Sequence, residues 1–394
     1  MSTKRKGQHG FFDRDNRLAK IHKLNDFLPK LNSLIDWEIF RPTLNKIRQD
    51  KNPAHGGRPP YDVVLMFKIL VLKEMYNLAF DRIEEQILDR LSFQVFLGLH
   101  SCDDVPDAKT IWLFAEHLKN LELECLLFDR FSELLDTSGF AVKSGLIVDG
   151  SFVEVPRQRN TKEENEQIKK GEIPASFSAN PHVLAQKDCD ARWTKKGNET
   201  FFGYENHGKI DDEFKFVRGY GVTDAAVHDS QPYPDLMSEE PDYPDQEAFA
   251  DAAYVGENID KGLKGLGYLP MICEKGYRNT PLTEEQKAMN KIKSSVRCRV
   301  EHIFGSMKMR MGNEILRSIG FARARFWIGM RNLMYNMGRF VSLMRPKPVK
   351  VRLRCALRAE FCQNRRFRGT EKCRMCAILR KIMTKTRDTK EKQK

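Results

Sequence analysis

The chain has 394 residues, of which 41% are hydrophobic, and a formal net charge of +13, which together predict a basic globular protein of two or three domains. Its apolar stretches are shorter than the roughly 20 residues that span a bilayer. Gln8 and His9 follow the basic start where a signal peptide would need an apolar run. These features exclude membrane-spanning and secreted classes, and we expect a soluble, cytoplasmic protein.

Residues 1–60 are predicted to form an N-terminal arm and linker. Leu24–Ile47 is amphipathic, but Pro29 and Pro42 interrupt it. Residues 51–60 are rich in Pro and Gly, which is typical of a linker.

Residues 61–136 are predicted to form a small, all-helical domain. Apolar residues recur at helical spacing from Val63 to Met75. Asp81 with Glu84 three residues later fits a capping box at the start of the next helix. Further helical segments are predicted over residues 93–99, from Asp107 to Leu118, and over residues 121–135. Such a module can serve packing or dimerisation, or it can bind DNA like a helix-turn-helix. The residues leave both open, with a slight preference for DNA.

Residues 140–345 are predicted to form a mixed α/β domain, because strands come first and helices follow. Strands are predicted over residues 145–155, 201–210, 214–223, 248–254 and 270–273. The second and third of these read as a hairpin over residues 211–213. Residues 157–200 are polar and are predicted to be a loop, whereas residues 284–344 have a helical pattern.

Residues 346–394 are predicted to form a basic tail. They contain 17 Lys or Arg and 4 Asp or Glu, so the tail carries the whole positive excess of the chain. Such a tail suits contact with a phosphate backbone. A disordered tail that keeps the protein in solution is the alternative.

The nine cysteines fall into two groups. Five are scattered singly and are predicted to be reduced, mostly buried thiols: Cys102, Cys125, Cys189, Cys273 and Cys298. Four lie in the tail with the spacing C-x6-C-x10-C-x2-C: Cys355, Cys362, Cys373 and Cys376. The tail cysteines are candidate ligands of a structural zinc ion, although one spacing is wider than usual and free thiols are the alternative.

Three carboxylates lie where metal ligands are expected. Asp149 closes the apolar run from Gly145, Asp251 follows a second short apolar run, and Glu301 lies in a helical segment. Carboxylate oxygens suit Mg²⁺, and an Asp at a strand end is held on rigid backbone. Three such groups that converge can hold two cations for phosphodiester chemistry. The alternative is that each Asp simply caps a loop.

The segment around Glu301 presents charges on one predicted helix face. Arg297, Glu301, Gly305 and Lys308 are spaced by 4, 4 and 3 residues. This face offers a carboxylate for a metal and two cations for phosphate. A solvated face on which Arg297 pairs with Glu301 is the alternative.

Other polar residues compete for these roles. Asp188, Asp190, Asp224 and Asp229 are rival aspartates, and Asp229 is the most credible because His228 precedes it. We expect His207 and His228 to be structural histidines. Trp193 could stack on an unpaired base, but a tryptophan that fills a crevice is the simpler interpretation.

The segment Arg297-x3-Glu301-x6-Lys308 resembles the Y-x2-R-x3-E-x6-K signature of bacterial insertion-sequence DDE transposases, particularly the insertion-sequence-five group. Ser294 departs from this signature, which has Tyr there, and the tail has no counterpart. In the helical region the similar stretches are Tyr76-x-Leu78-Ala79-Phe80, Leu91-Ser92-Phe93-x2-Phe96-Leu97-Gly98-Leu99 and Val105-Pro106-Asp107-Ala108-Lys109-Thr110. Later ones are Val148-Asp149-Gly150-Ser151, Phe202-Gly203-Tyr204-x2-His207, Val227-His228-Asp229-Ser230, Asp251-x2-Tyr254, Arg317-Ser318-Ile319-Gly320 and Asn332-Leu333-x2-Asn336.

The resemblance implies an RNase H-like catalytic domain in which Asp149, Asp251 and Glu301 are the catalytic ligands of two Mg²⁺ (or Mn²⁺) ions. It implies that Arg297 and Lys308 contact DNA phosphates. Water would attack at the end of the element, and the freed 3′-OH would attack target DNA. The expected partners are double-stranded DNA and a second copy of the chain, at the nucleoid of a bacterial cytoplasm. A silent DNA-binding derivative and a metal-dependent nuclease without strand transfer are the alternatives.

Overall fold

The computed structural model describes residues 12–23, 27–48, 59–100, 102–276, 281–311 and 315–344. All of them belong to one compact unit, Met1–Met344. The basic tail and its four cysteines lie outside the described residues, so the zinc prediction has no structural counterpart here. Within the described ranges, no helix is both long enough and apolar enough to cross a membrane.

Helices make up the first part of the described chain. The α-helices are α1 (Asp13–Lys23), α2 (Phe27–Leu34), α3 (Arg41–Leu44), α4 (Val63–Met75), α5 (Phe80–Asp89), α6 (Leu91–Leu97), α7 (Ala108–Asn120) and α8 (Leu123–Leu135). Short 3₁₀ turns occupy Trp37–Phe40 and Asn45–Arg48, and a π-helical turn at Asp136–Phe140 follows α8. The predicted helices of this region are therefore present.

Two helix starts differ in how well the sequence predicts them. Helix α7 begins after Asp107, whose carboxylate accepts a hydrogen bond from the Thr110 amide, as expected of an N-cap. The predicted capping box at Asp81 is wrong. Helix α5 begins at Phe80 without a side-chain cap, and Glu84 instead accepts from the Ala108 amide at 2.9 Å. Glu84 thus ties α5 to the start of α7.

The second part of the chain is mixed α/β, as predicted. Its elements are β1 (Leu146–Glu154), α9 (Lys162–Lys169), α10 (Ala175–Ser178), α11 (Pro181–Leu184), β2 (Arg192–Lys196), β3 (Glu199–Asp211), β4 (Val217–Asp224), α12 (Tyr233–Leu236), β5 (Gln246–Ala250), α13 (Glu257–Leu266), β6 (Tyr268–Ile272), α14 (Glu284–Arg297), α15 (Arg299–Arg310) and α16 (Phe321–Leu343). A 3₁₀ turn at Ala252–Tyr254 follows β5.

These strands form one mixed sheet in the order β2-β3-β1-β5-β6, with β4 also paired to β3. Strand β1 is central, antiparallel to β3 and parallel to β5, and β5 is parallel to β6. The predicted hairpin is present, because β3 and β4 pair antiparallel.

Side-chain alternation gives the sheet two buried faces. Ile147 and Phe249 pack in the larger core, which also holds buried residues of α15, α16 and the N-terminal helices. Leu146 and Val148 point the other way, into a smaller core that includes Leu263 of α13. The sheet therefore lies between two helical layers.

Polar side chains of α16 reach the sheet inside the larger core. Asn332 and Asn206 exchange two side-chain hydrogen bonds, at 2.9 and 3.1 Å. Asn336 accepts from the Val217 amide at 2.9 Å and donates to its carbonyl at 2.7 Å. All four residues are buried. These bonds fix the register of α16 against β3 and β4, which apolar packing alone leaves loose.

Three sequence predictions are corrected. Residues 157–200 are not a loop, because α9, α10, α11 and β2 lie there. The helical segment 284–344 is divided, since α14 ends at Arg297, α15 begins at Arg299, and α16 begins only at Phe321. The five scattered cysteines are free thiols as expected, but they are not mostly buried: Cys273 is buried, whereas Cys102, Cys125 and Cys298 are exposed.

Candidate active site

Asp149 and Asp251 lie level with each other on neighbouring parallel strands. Ile147 of β1 pairs with Phe249 of β5. Two residues further along, the same register sets Asp149 beside Asp251, which immediately follows β5. Alternation directs both side chains to the face shared by Ile147 and Phe249, where α15 packs. The sheet thus brings together two of the three predicted carboxylates.

Asp149 is a half-buried carboxylate with an arginine partner. Its Oδ2 accepts a hydrogen bond from Arg297 Nη1 at 2.9 Å, and its Oδ1 accepts from the Gly150 amide at 3.0 Å. Burial raises the pKa of Asp149, the Arg297 charge opposes that shift, and the Asp251 charge adds to it. The Asp251 carboxylate is therefore close enough for its charge to act on Asp149.

Asp251 is held by the turn that it starts. Its Oδ1 accepts from the Ala253 amide at 2.6 Å, which caps the 3₁₀ turn after β5. The cap uses one carboxylate oxygen. The backbone therefore holds Asp251 in place, as expected of a metal ligand at a strand end. Asp251 also caps a loop, so the metal-ligand and loop-cap interpretations of this residue are compatible.

Arg297 pairs with Asp149 rather than with Glu301. Among the described residues, Arg297 forms its ion pair with Asp149, with 2.9 Å between Nη1 and Oδ2. The alternative of a solvated Arg297–Glu301 face is therefore wrong. Arg297 Nε is buried and has no hydrogen-bond partner within the described ranges, so this guanidinium retains a donor beside Asp149.

Glu301 lies on the adjacent helix and is exposed to solvent. It is in the first turn of α15, whereas Arg297 ends α14, so the predicted single helix face is divided at Cys298. No hydrogen bond or ion pair of the described residues joins Glu301 to Asp149 or Asp251. Phe304, one turn later, packs over Gly208, the cross-strand neighbour of Asp149. Helix α15 therefore runs beside Asp149, with Glu301 at its start.

Lys308 lies further along the same helix. It lines a small cavity of about 30 Å³ together with Ser151, Asn206 and Arg331. Ser151 is two residues beyond Asp149 on β1, so it is on the same face of the sheet. Lys308 and Arg297 thus flank the face of β1 that carries Asp149.

A second polar cluster was missed by sequence reasoning. Glu205, His207 and Asp229 each offer a ligand atom, and these atoms lie within 4.8 Å of one another. Burial, followed by the Asp229 charge, raises the pKa of Glu205, and burial lowers the pKa of His207 to about 4. The available signal was the spacing of two between Glu205 and His207 on a predicted strand, which places both on one face.

The rival aspartates have structural roles in the described contacts. Asp188 is buried and accepts hydrogen bonds from the Asp190, Ala191 and Gly320 amides and from the Tyr204 hydroxyl. Asp190 accepts from the Phe321 amide at the start of α16. These two aspartates fasten the loop before β2 to α16.

Other predicted competitors are also accounted for. Asp224 accepts from the Ala226 amide in the turn after β4. His228 is exposed and contacts Ser230, whereas the neighbouring Asp229 faces His207. Trp193 is partly exposed, and its ring lies 4.9 Å from that of Phe202. The histidine near Asp229 is therefore His207 of β3 and not the adjacent His228.

Comparison with known families gives the class of this protein. Residues 141–337, half of the chain, match the family model described as Transposase DDE domain. Residues 15–117 match the Transposase domain (DUF772) model. The chain belongs to the Transposase DDE domain family, so it is a transposase of the DDE class. That family implies an enzyme that uses divalent metal ions.

One solved structure is similar in outline, a cryo-EM structure of the piggyBac transposase synaptic complex with hairpin DNA. The similarity has a TM-score of 0.43 and 11% sequence identity, and it covers 85% of this chain and 86% of that chain.

The donor set at Asp149 and Asp251 fits a hard divalent cation. Two carboxylates meet at one level of the sheet, and burial together with the neighbouring Asp251 charge raises the pKa of Asp149. A cation between them would relieve that repulsion, and carboxylate oxygens are what Mg²⁺ prefers.

Proposed function

We propose that this protein is a DNA transposase of the insertion-sequence-five type, which cuts at the terminal inverted repeats of its element and joins the 3′ ends to target DNA. The observation that carries the proposal is that Asp149 and Asp251 each lie two residues beyond the Ile147–Phe249 pair of the parallel strands β1 and β5. It occurs inside the region that matches the Transposase DDE domain.

The architecture supports an RNase H-like catalytic domain over residues 140–345. A mixed sheet with helices packed on both faces presents Asp149 within β1 and Asp251 directly after β5, so both stand on rigid backbone. Residues 61–136 are proposed to bind DNA, with residues 1–60 as an arm and linker before them. Residues 346–394 are proposed to add phosphate contacts, and a zinc site at their four cysteines remains a separate proposal.

We assign Asp149, Asp251 and Glu301 as the groups that would hold Mg²⁺ or Mn²⁺. When bound, such ions supply an activated nucleophile and charge stabilisation at phosphorus. The position of α15 supports including Glu301, because Phe304 of the same helix packs across from Asp149. Glu301 lies in the first turn of that helix and is exposed, so packing against the core does not fix its carboxylate.

Arg297 and Lys308 are proposed to hold the DNA phosphates. Arg297 keeps a buried Nε donor without a partner among the described residues while it pairs with Asp149. A phosphate that enters this face could accept from that donor, and a guanidinium binds phosphate in a fixed, fork-like geometry. Lys308 lies on the same side, beside Ser151, and adds a second positive charge.

The proposed partners are double-stranded DNA and a second copy of the chain. Both ends of an element must be cut and joined together, which a homodimer accomplishes with one active site per end. We expect such a dimer to act at the bacterial nucleoid.

The test is an incubation of the purified full chain with the DNA ends of its element and Mg²⁺, with cut and joined products resolved separately. We expect both products from the wild type and neither from Glu301→Gln. The control is Glu257→Gln, which removes an exposed carboxylate on α13. Cutting without joining would replace the proposal with a nuclease. Tight binding without cutting would replace it with a silent DNA-binding protein.

A further inference from the structure

The Glu205, His207 and Asp229 cluster lies on the opposite face of the sheet from the Asp149 side chain, although it is near enough for the Asp149 charge to act on Glu205. His207 pairs with Gly150 across β1 and β3, and Glu205 pairs with Phe152. Since alternate residues of a strand point to opposite faces, both side chains point away from the face that carries Asp149. Asp229, which follows β4, completes the cluster from a loop.

Two buried atoms of this cluster have no partner among the described residues. They are Glu205 Oε1 and His207 Nδ1, and each residue is only 1% exposed. A buried, unsatisfied carboxylate oxygen costs free energy unless a cation or a proton neutralises it. Lys196 is close enough for its charge to act on Glu205, but among the described residues it forms no hydrogen bond with either buried atom.

Gly150 leaves room for both atoms. A Cβ at this position would lie 2.5 Å from Glu205 Oε1 and 3.3 Å from His207 Nδ1. Both atoms thus lie on the same side of the Gly150 backbone, and the side chain of any larger residue would occupy the space that they use. This glycine permits the convergence without any need for unusual dihedral angles.

The histidine is oriented as a metal ligand. His207 Nε2 lies 2.9 Å from Thr223 Oγ1. With the Nε2 proton donated to that hydroxyl, Nδ1 carries the lone pair and faces the carboxylates. A ligand histidine usually has its second nitrogen fixed in this manner by an outer neighbour.

We propose that Glu205, His207 and Asp229 form a second metal site, which binds a divalent transition-metal ion such as Mn²⁺. One imidazole and two carboxylates suit first-row transition metals, whereas Mg²⁺ prefers oxygen ligands alone. A bound ion would join β3 to the loop after β4, behind the strand that carries Asp149. The site is separate from the proposed catalytic ions.

The test counts Mn²⁺ on the full chain, without DNA, after the protein has been stripped with a chelator and supplied with excess Mg²⁺. Mg²⁺ competes for the all-oxygen site, and Mn²⁺ has little preference for the tail thiolates. We expect about one Mn²⁺ to remain bound per chain, with nitrogen coupling from an imidazole in pulsed electron paramagnetic resonance.

Variants locate the ligand. His207→Gln should lose the nitrogen coupling, and Glu205→Gln should weaken Mn²⁺ binding by at least about tenfold. His228→Gln, which removes the exposed histidine beside Asp229, should keep the coupling, and so should Asp251→Asn. Circular dichroism of each variant checks the fold.

Absence of nitrogen coupling in the wild type would overturn the proposal, as would its persistence in His207→Gln. Loss of coupling in Asp251→Asn would also overturn it, because the ion would then belong to the Asp149 face. Since DNA is absent, none of these results bears on whether the protein cuts and joins DNA.

Discussion

Asp149 is the residue at which the charges of the candidate active site meet. Its carboxylate accepts from Arg297 and from the Gly150 amide, and its pKa responds to burial, to Arg297 and to Asp251. Without Arg297, burial and the neighbouring aspartate would both favour the protonated form. Arg297 therefore helps to keep Asp149 ionised, in addition to any contact that it makes with DNA.

Asp188 is the buried carboxylate with the clearest structural role, so we predict a large loss of stability for Asp188→Ala. The change would leave the Tyr204 hydroxyl and the Ala191 and Gly320 amides without their acceptor. We expect a loss of about 3 kcal/mol or more in the free energy of unfolding.

Urea denaturation checks this prediction, with Asp190→Ala as the matched control. Among the described residues, Asp190 accepts one main-chain hydrogen bond from α16, donated by the Phe321 amide. Asp190→Ala should therefore lower the free energy of unfolding by only about 1 kcal/mol. Equal losses in the two variants would contradict the assignment of Asp188 as the main fastening of this loop.

At the residue scale, some residues of the two sites could be predicted from the sequence and others could not. Asp149 and Asp251 could be predicted because each follows an apolar run that forms a strand. Glu205 and Asp229 could not be paired in advance, because their proximity depends on the strand pairing and on a loop position. The role of Asp188 was equally hidden, since burial of a charged residue has no local sequence pattern.

Helix α4 contains a buried lysine whose ionisation is linked to stability. Lys68 Nζ donates to Asn32 at 2.9 Å and lies over the rings of Trp37 and Phe96, at 5.3 and 4.7 Å. Burial lowers the pKa of Lys68 from its ordinary value of 10.5 to about 8. The folded protein therefore releases this proton at a lower pH than the unfolded chain does.

We predict that wild type gains stability relative to Lys68→Met as the pH rises from about 8 to about 10.5. The neutral amine is favoured in the fold, so its contribution is present above the unfolded pKa and is lost as the pH falls through the folded pKa. The pKa difference sets a gain of at most about 3 kcal/mol. Urea denaturation of both proteins at pH 7 and pH 10 measures it, and a constant difference would show that Lys68 is not perturbed.

At the element scale, apolar periodicity predicts the long elements and fails for short polar ones. Helices α4 and α7 and strand β1 follow their patterns closely. Helix α9 is almost entirely polar, and it forms through a capping box between Thr161 and Glu164. The division between α14 and α15 at Cys298 has no local signal in Gly or Pro, and the two helices contact different strands, α14 contacting β5 and α15 contacting β1.

At the scale of the whole molecule, the basic tail should govern non-specific DNA binding. We predict that removal of residues 346–394 weakens that binding and flattens its dependence on salt, because the tail has 17 Lys or Arg. Binding constants measured over a range of salt concentrations give the slope. Lys261→Gln on the exposed face of α13 is a control with one charge fewer. An unchanged slope after truncation would mean that the tail does not touch DNA.

The mixed α/β class and the hairpin could be predicted from the sequence, but the strand order could not. Strand β1 pairs with β3 on one side and with the distant β5 on the other. That order sets Asp149 beside Asp251, across about a hundred residues of chain. The site therefore depends on long-range pairing, which the local patterns do not encode.

The most direct test of the central claim is the single-turnover rate of end cleavage in Mg²⁺ for Asp251→Asn beside the control Glu257→Gln. Asn can still accept from the Ala253 amide, so the turn should persist while the charge is lost. We predict a rate lower by roughly a thousandfold for Asp251→Asn, on the scale of losing a preorganised electrostatic group, and an unchanged rate for the control. Cleavage by Asp251→Asn at about the wild-type rate would contradict the assignment of the Asp149 and Asp251 pair as the active site.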